Sequence, residues 1–448
     1  MIARILFAAA WIALLVESAL AEPISFTRQV APILVRNCQT CHGPREPKGN
    51  YQLSSFQQLL KPGETESAPI VPGKPVDSYL FTLLTATDES RMPKNGGPLA
   101  AEQIDVIKRW IEEGATFDGP DQAVLLASII PKLPNPDPQE AYKRPFPITA
   151  IAFHPGGNEL AVGGNHEVTI WNPADGTLLR RIKNVPERVH GLAYTPDGNV
   201  LAVSGGTPAV VGEVKLFNPA DGTVLKDLLN TSEACFRIAI NPAGNKLAVA
   251  SADRTVRIFD IGSGNLDRAI EAHSDWVIAV AWSPDGSRIA TGSRDRLAKV
   301  IKADSGEILS AFALHNEPVL AVAWLPGGNR IATGGADRRV RHWKFEDTLQ
   351  TGEAGFGGNV LEMKTYGDKI FTVAANKNVQ QHRSENYGQF RNYAGWSDVV
   401  GAIAYHEPTD RLAAGGFNGE VRIIKAEENN NKELIKFIAA PGYTPSAK

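Results

Sequence analysis

Five consecutive residues, Cys38-Gln39-Thr40-Cys41-His42, place two of the chain's three cysteines beside a histidine. Two thiols at this spacing can each add to one vinyl group of a porphyrin, and the imidazole that follows then faces the iron. This is the attachment pattern of a c-type haem. Three other chemistries compete for the motif. A zinc site needs four ligands, yet His42 is the only histidine before His154 and no third cysteine is near. A thioredoxin-like redox pair leaves the histidine unexplained and lacks its βαβ pattern. A disulfide across two intervening residues is strained.

The second axial ligand follows by elimination. Between residues 22 and 120 there is one histidine, His42, and one methionine, Met92, so bis-histidine ligation from this region is excluded. Met92 lies in Ser90-Arg91-Met92-Pro93-Lys94-Asn95-Gly96-Gly97-Pro98-Leu99, too rich in proline and glycine for helix or strand. A thioether held on a stiff loop suits haem iron, and His/Met ligation raises the reduction potential. The alternatives are a methionine packed beside the porphyrin or one on the surface. The expected cofactor is one covalently attached haem c, with Cys38 and Cys41 as thioethers and His42 and Met92 on the iron.

Elements must hold these four residues. The apolar spacing from Phe26 to Asn37 predicts a short helix, kinked or restarted at Pro32, running into Cys38. Ala101 to Gly114 predicts a second helix after the methionine loop. Its apolar face is formed by Ile104, Ile107, the Lys108 stem and Ile111, with Trp110 at the edge and Gly114 as the stop. The order helix, C-x-x-C-H, methionine loop, helix resembles the class I cytochrome c fold. A closer likeness lies in Phe26 with Pro32-Ile33-Leu34, Cys38 to Gly43, Leu53-Ser54, Gly73-Lys74-Pro75, Ser78-Tyr79-Leu80, Arg91-Met92-Pro93, and Ile107 to Ile111 with Gly114-Ala115. Over about residues 22–118 these resemble the planctomycete-type cytochrome c domain. The resemblance implies covalent haem on Cys38 and Cys41, with His42 and Met92 as axial ligands.

The first 21 residues combine Arg4, an apolar run from Ile5 to Val16, and Ala19-Leu20-Ala21 before Glu22. This is the pattern of a cleavable secretory signal. Glu17 interrupts the run, which is short of the roughly 20 apolar residues that span a bilayer. No other stretch is long enough, so the mature chain is expected without a transmembrane segment, in the periplasm or otherwise exported. The charge is nearly balanced, with 46 basic and 49 acidic residues. That argues against a chain built to coat nucleic acid or an anionic membrane. Three cysteines among 448 residues are too few for a disulfide scaffold. Plentiful glycine (41) and proline (30), with 43% apolar residues, suit a turn-rich β protein.

Residues 119–147 carry Pro120, Pro131, Pro134, Pro136, Pro138, Pro145 and Pro147, the composition of an extended connector, with a short helix possible over 122–130. Beyond it the sequence repeats. Ile151-Ala152-Phe153-His154-Pro155 returns as Leu192-Ala193-Tyr194-Thr195-Pro196, Ile238-Ala239-Ile240-Asn241-Pro242, Val280-Ala281-Trp282-Ser283-Pro284 and Val322-Ala323-Trp324-Leu325-Pro326. Further copies lie at Ile403-Ala404-Tyr405-His406 and, more weakly, around Tyr366. Anchors at 153, 194, 240, 282, 324, 366 and 405 lie 39 to 46 residues apart, the period of propeller blades. In the fourth copy the expected strands are Val277–Trp282, Arg288–Thr291, Leu297–Ile301 and Ile308–Phe312.

The fold class is therefore multidomain: a small all-α unit over 22–118, then an all-β seven-bladed propeller over 148–448. The copies resemble WD repeats. His273 with Asp295, and His315 with Asp337, match that family's structural histidine and turn aspartate, and Trp171 and Trp343 fall at its third-strand tryptophan. The Trp-Asp dipeptide is absent, most blades lack the histidine, and the sixth is degenerate. How the ring closes, and whether the linker lends it a strand, is open at this stage. Cys235, in the first strand of the third blade, is expected to be a buried, inert thiol.

Arg254, Arg257, Arg294, Arg296, Lys299, Arg338, Arg339 and Arg341 recur around equivalent turns of the third to fifth blades. Equivalent turns share one end of a propeller, so Arg254, Arg294, Arg296 and Arg338 are expected to form a basic ridge. They are candidate docking residues for an acidic partner or for the haem propionate edge, or else solvated arginines balanced by Asp253, Asp295 and Asp337. The leading functional expectation is an exported monohaem electron carrier whose propeller docks a redox partner protein. His/Met coordination leaves no open iron position, which favours a carrier over a catalyst. A haem-based redox or gas sensor, and a propeller enzyme delivering electrons to the haem, are the alternatives.

Overall fold

The computed structural model describes residues 22–43, 47–94, 97–130, 134–231, 233–385, 389–427 and 432–443. The expected leader, residues 1–21, lies outside the described residues. The chain divides into two compact units, Met1–Pro131 and Lys132–Lys448.

In the first unit a π-helical turn, Phe26–Val30, is capped by the Ser25 hydroxyl and passes directly into α1 (Ala31–Asn37). Pro32 sits in the first turn of α1, where its missing N–H has no intrahelical partner to lose. The kink expected at Pro32 is thus a change of helix type. After it come α2 (Gln39–His42), α3 (Phe56–Leu59), α4 (Tyr79–Thr85), α5 (Ala101–Glu112) and α6 (Leu126–Ile129). Phe26 is the centre of the core, with the Phe56 ring at 4.8 Å and the Trp110 ring at 5.2 Å between centroids.

Two sequence expectations change here. Trp110 is fully buried instead of lying at the edge of α5, and its indole N–H donates to the Thr116 carbonyl at 2.9 Å. Lys108 points outward to Glu112 at 3.4 Å. The indole brings the larger apolar area and satisfies its one polar atom locally, so the buried stripe runs through Ile107, Trp110 and Ile111. The short helix anticipated within the connector belongs to this core as well. Leu126 is wholly buried and its N–H donates to the Ser54 carbonyl at 2.8 Å.

The second unit is a seven-bladed propeller. Its seven four-stranded sheets are each built from four consecutive antiparallel strands. In chain order the blades span 151–182, 189–231, 235–271, 277–312, 319–355, 360–393 and 400–438. Blade four has strands Val277–Trp282, Arg288–Ser293, Ala298–Lys302 and Ile308–Phe312, within two residues of expectation. The degenerate sixth blade keeps all four strands. The anchor aromatics tie neighbours together: the Trp282 indole donates to the Ala239 carbonyl at 2.9 Å and that of Trp324 to the Ala281 carbonyl at 3.1 Å.

No strand is shared at the closure: blades one and seven are each complete from their own chain segments. The seam is sealed by packing. Trp171 lies on Phe437 with centroids 4.7 Å apart, and His406 Nε2 donates to the Pro155 carbonyl at 2.8 Å. Residues 134–147 then form a strap across it. Asn135 Nδ2 donates to Glu213 of blade two at 2.7 Å. The Tyr142 hydroxyl donates to the buried Glu167 of blade one at 2.7 Å, and the Tyr142 amide donates to the Pro441 carbonyl at 2.9 Å. Ile148 N–H reaches the Gly416 carbonyl of blade seven at 3.2 Å.

The first strands line a central channel of about 630 Å³. Just past the strand bulge, where the other blades carry Ala150, Gly191, Ala279, Ala321 and Ala402, blade three carries Arg237 and blade six Glu362. The small residues leave room for these two long side chains, which meet at 3.5 Å. Arg237 also donates to the carbonyls of Thr149 and His190, while Glu362 accepts the Ile403 N–H at 2.8 Å.

Candidate functional site

Cys38, Cys41, His42 and Met92 all line one cavity of about 710 Å³ in the first unit. That size lies within the roughly 300–1,000 Å³ of cofactor pockets. Cys38 ends α1, Cys41 and His42 lie on α2, and Met92 stands on a loop fixed by its N–H donating to the Leu83 carbonyl at 2.9 Å. The walls are apolar: Leu34, Leu53, Leu80, Leu83, Leu84, Leu99 and Ile107.

The two thiols are free. Burial, with the neighbouring Cys41 as a smaller cause, pushes the Cys38 thiol up to about 12. It is therefore neutral, as befits a thiol that adds to a vinyl group. His42 Nδ1 lies 3.1 Å from the Tyr51 carbonyl. A carbonyl only accepts, so Nδ1 carries the proton and Nε2 keeps its lone pair for a metal. Tyr51 is held in turn by its hydroxyl, which donates to the Leu59 carbonyl at 2.9 Å. Three exposed cations, Arg36, Lys48 and Lys94, line the cavity, and no carboxylate does so among the described residues. That charge pattern fits a porphyrin edge with its two propionates. The donor set, the apolar walls and the cationic rim therefore all fit haem. Among the described residues no cluster of three or more His, Cys, Asp or Glu could hold a bare metal ion.

Sequence reasoning missed Tyr51 and the rim cations. A backbone carbonyl leaves no mark in sequence; the lysines and the arginine flanking the motif did, and could have been read.

On the propeller, the eight basic residues of the third to fifth blades separate into two kinds. Arg257 pairs with Asp253 at 2.7 Å, and Lys299 donates to the Ala272 carbonyl at 2.6 Å. Arg341 is buried between Asp337 and Glu353, and Arg339 pairs with Glu353. These are structural. Arg254, Arg296 and Arg338 are exposed and have no ion pair among the described residues. Arg294 is exposed too, 3.8 Å from Asp275 and stacked over Trp276 at 4.7 Å.

The turn aspartates do not balance the ridge, because other groups hold them. Asp253 is held by Arg257, Asp295 by His273 at 2.9 Å, and Asp337 by His315 and Arg341. Both histidines also reach a second-strand threonine at 2.8 Å, Thr291 and Thr333. Arg254, Arg296 and Arg338 share a left-handed backbone, with φ of 75°, 72° and 63°. A side chain there costs about 1 kcal/mol relative to glycine. Cys235 is fully buried, and burial pushes its thiol up to about 12.

Comparison with known proteins agrees with this division. The planctomycete cytochrome c family matches residues 38–96, a span that contains Cys38, Cys41, His42 and Met92. WD repeats match residues 140–172, 222–260, 264–302 and 306–344. Among curated proteins the chain is similar to a mitotic checkpoint protein bub3 of Dictyostelium discoideum, 33% identical over 60 residues, 13% of this chain and 18% of that one. It is also similar to an intraflagellar transport protein 122 homolog of Danio rerio, 31% identical over 64 residues, 14% of this chain and 5% of that one. The chain thus spans less than a fifth of the curated relatives it matches. With the cavity and the seven blades in place, the chain joins a planctomycete-type cytochrome c segment, a haem-binding kind, to a WD-type propeller, a fold that serves protein interaction.

Proposed function

We propose that this chain is an exported monohaem electron-transfer protein, with Cys38 and Cys41 as the covalent anchors, His42 and Met92 on the iron, and the propeller as the platform that docks a redox partner protein. One observation carries the reading: the Cys38–His42 motif and Met92, fifty residues further on, converge on a single apolar cavity lined by three cations. Bound haem supplies a one-electron couple whose potential is raised by a thioether ligand. The chain's residues supply the rest. The Tyr51 carbonyl keeps the His42 proton on Nδ1, the leucine walls exclude water, and Arg36, Lys48 and Lys94 meet negative charge at the mouth. His42 and Met92 would be the two protein ligands to the iron and would leave no position for substrate, which supports a carrier.

Expression with c-type haem maturation and an intact leader tests this. The expected product begins at Glu22, retains one haem through denaturation, and titrates as a single reversible one-electron couple. Haem lost on denaturation would refute the covalent assignment. A second chromophore in the propeller would favour an enzyme.

A further inference from the structure

We infer that blades three to six carry a docking surface for an acidic polypeptide segment, built on one repeated turn. The inference deepens the docking role proposed above and does not depend on the haem's redox chemistry. In each of these blades the turn between the second and third strands has the same form. An Asp or Asn side chain accepts the N–H two residues on: Asp253 from Thr255, Asp295 from Leu297, Asp337 from Arg339 and Asn376 from Asn378, at 3.0–3.2 Å. The residue between is left-handed and points outward. It is Arg254, Arg296, Arg338 and Lys377, all exposed, with φ between 63° and 75°.

Blade seven builds the same turn with Asn418, and there the left-handed residue is Gly419 at φ 78°, the residue that backbone favours. The contrast follows the strap. Gly419 lies under Pro145, and the matching turn of blade one, Asn165 to Glu167, lies under Tyr142. Where the strap covers the face, the turn beneath it carries no exposed arginine or lysine at that position. Over blades three to six a cation stands at the left-handed position of this turn, whereas blade two, which the strap meets at Glu213, has a longer turn whose left-handed residue is Ala209. None of the four has an ion pair among the described residues, although Lys377 donates to the Ser397 carbonyl at 2.9 Å. A repeated departure from the residue the backbone prefers, at exposed sites whose charge meets no internal counter-charge, indicates an external one.

The partner's chemistry follows from the neighbouring charges. Asp275, Glu317 and Asp398 stand on the loops entering blades four, five and seven at the same end. A uniform polyanion such as nucleic acid would be repelled by them. A polypeptide that alternates acidic with neutral or basic residues can meet both signs.

The test uses the full-length holoprotein and fluorescent synthetic peptides, one of alternating Glu and Ser and one of alternating Lys and Ser. A single-stranded oligonucleotide of equal charge is the third probe. The variant is the triple substitution Arg254→Gly, Arg296→Gly and Arg338→Gly, which suits the backbone and should leave the melting temperature equal or higher. The acidic peptide is expected to bind at low salt and to weaken with salt, and the triple variant to lose at least tenfold in affinity with its haem spectrum and midpoint potential unchanged. Equal binding by wild type and variant, or no binding of the acidic peptide by wild type, would overturn the proposal. Oligonucleotide binding as tight as the peptide's, lost in the same variant, would make this a general polyanion site and overturn it too. A holoprotein that fails to cycle electrons would refute the carrier reading and leave the docking result standing.

Discussion

The imidazole of His42 is oriented by an atom that no side-chain change at residue 51 removes, because its acceptor is the Tyr51 backbone carbonyl. The tautomer therefore depends on the path of the chain, which the Tyr51 hydroxyl fastens at Leu59. Met92 is different: its role rests on one replaceable sulfur. Met92→Ala should open an iron position, so that carbon monoxide binds the reduced protein, read as a new difference spectrum. Met92→His should keep six-coordination and lower the midpoint potential by on the order of 100 mV or more. An unchanged potential and no carbon monoxide binding in the alanine variant would remove Met92 from the iron.

At the scale of elements, the histidine-bearing turns of blades four and five give the propeller an acid limit. Burial raises the Asp295 carboxyl, but the hydrogen bond and charge of His273 outweigh it and hold the group well below the ordinary carboxylate range. A depressed folded value means that the stabilisation is present above the unfolded value near pH 4 and is lost as pH falls toward the folded one. Asp295→Asn should cost about 2 kcal/mol at pH 7. Urea unfolding at pH 3 and 7 should show a smaller acid loss in the variant than in the wild type. These elements were legible because each depends on local signals: the Asp-Arg turn, the strand alternation and the 42-residue spacing about Trp282 and Trp324 are contiguous in sequence. The C-x-x-C-H motif was legible for the same reason. The Arg237–Glu362 pair was not, since it joins side chains 125 positions apart that only a closed ring brings together. Its trace is a charge in two blades where five others carry alanine or glycine. Trp110 was misplaced because helical spacing gives the direction of a side chain but not the volume waiting to receive it.

At the scale of the molecule, proline content marked 119–147 as one connector, whereas the contacts assign it to both units: Leu126 belongs to the first core and Tyr142 to the propeller. A propeller expressed from residue 132 should therefore melt above one expressed from residue 148, which lacks the Tyr142 bond to Glu167 and the Asn135 bond to Glu213. Each lost bond to a carboxylate is worth roughly 1.5–3 kcal/mol, and equal melting temperatures would show the strap to be passive. The unshared closure bears on the order of events during synthesis. Every blade is complete once its own fourth strand has been made, so no strand waits for the far end of the chain before it can pair. The contacts that join the two ends of the ring are single hydrogen bonds, Tyr142 to Pro441, Ile148 to Gly416 and His406 to Pro155, and side-chain packing such as Trp171 on Phe437. Loop-closure entropy is thus met last, by the apolar faces of two finished blades, with Ile151, Leu160 and Val162 packing in one cluster with Ala402, Ala413 and Val421, and the ribosome can release a nearly finished ring that needs only to shut.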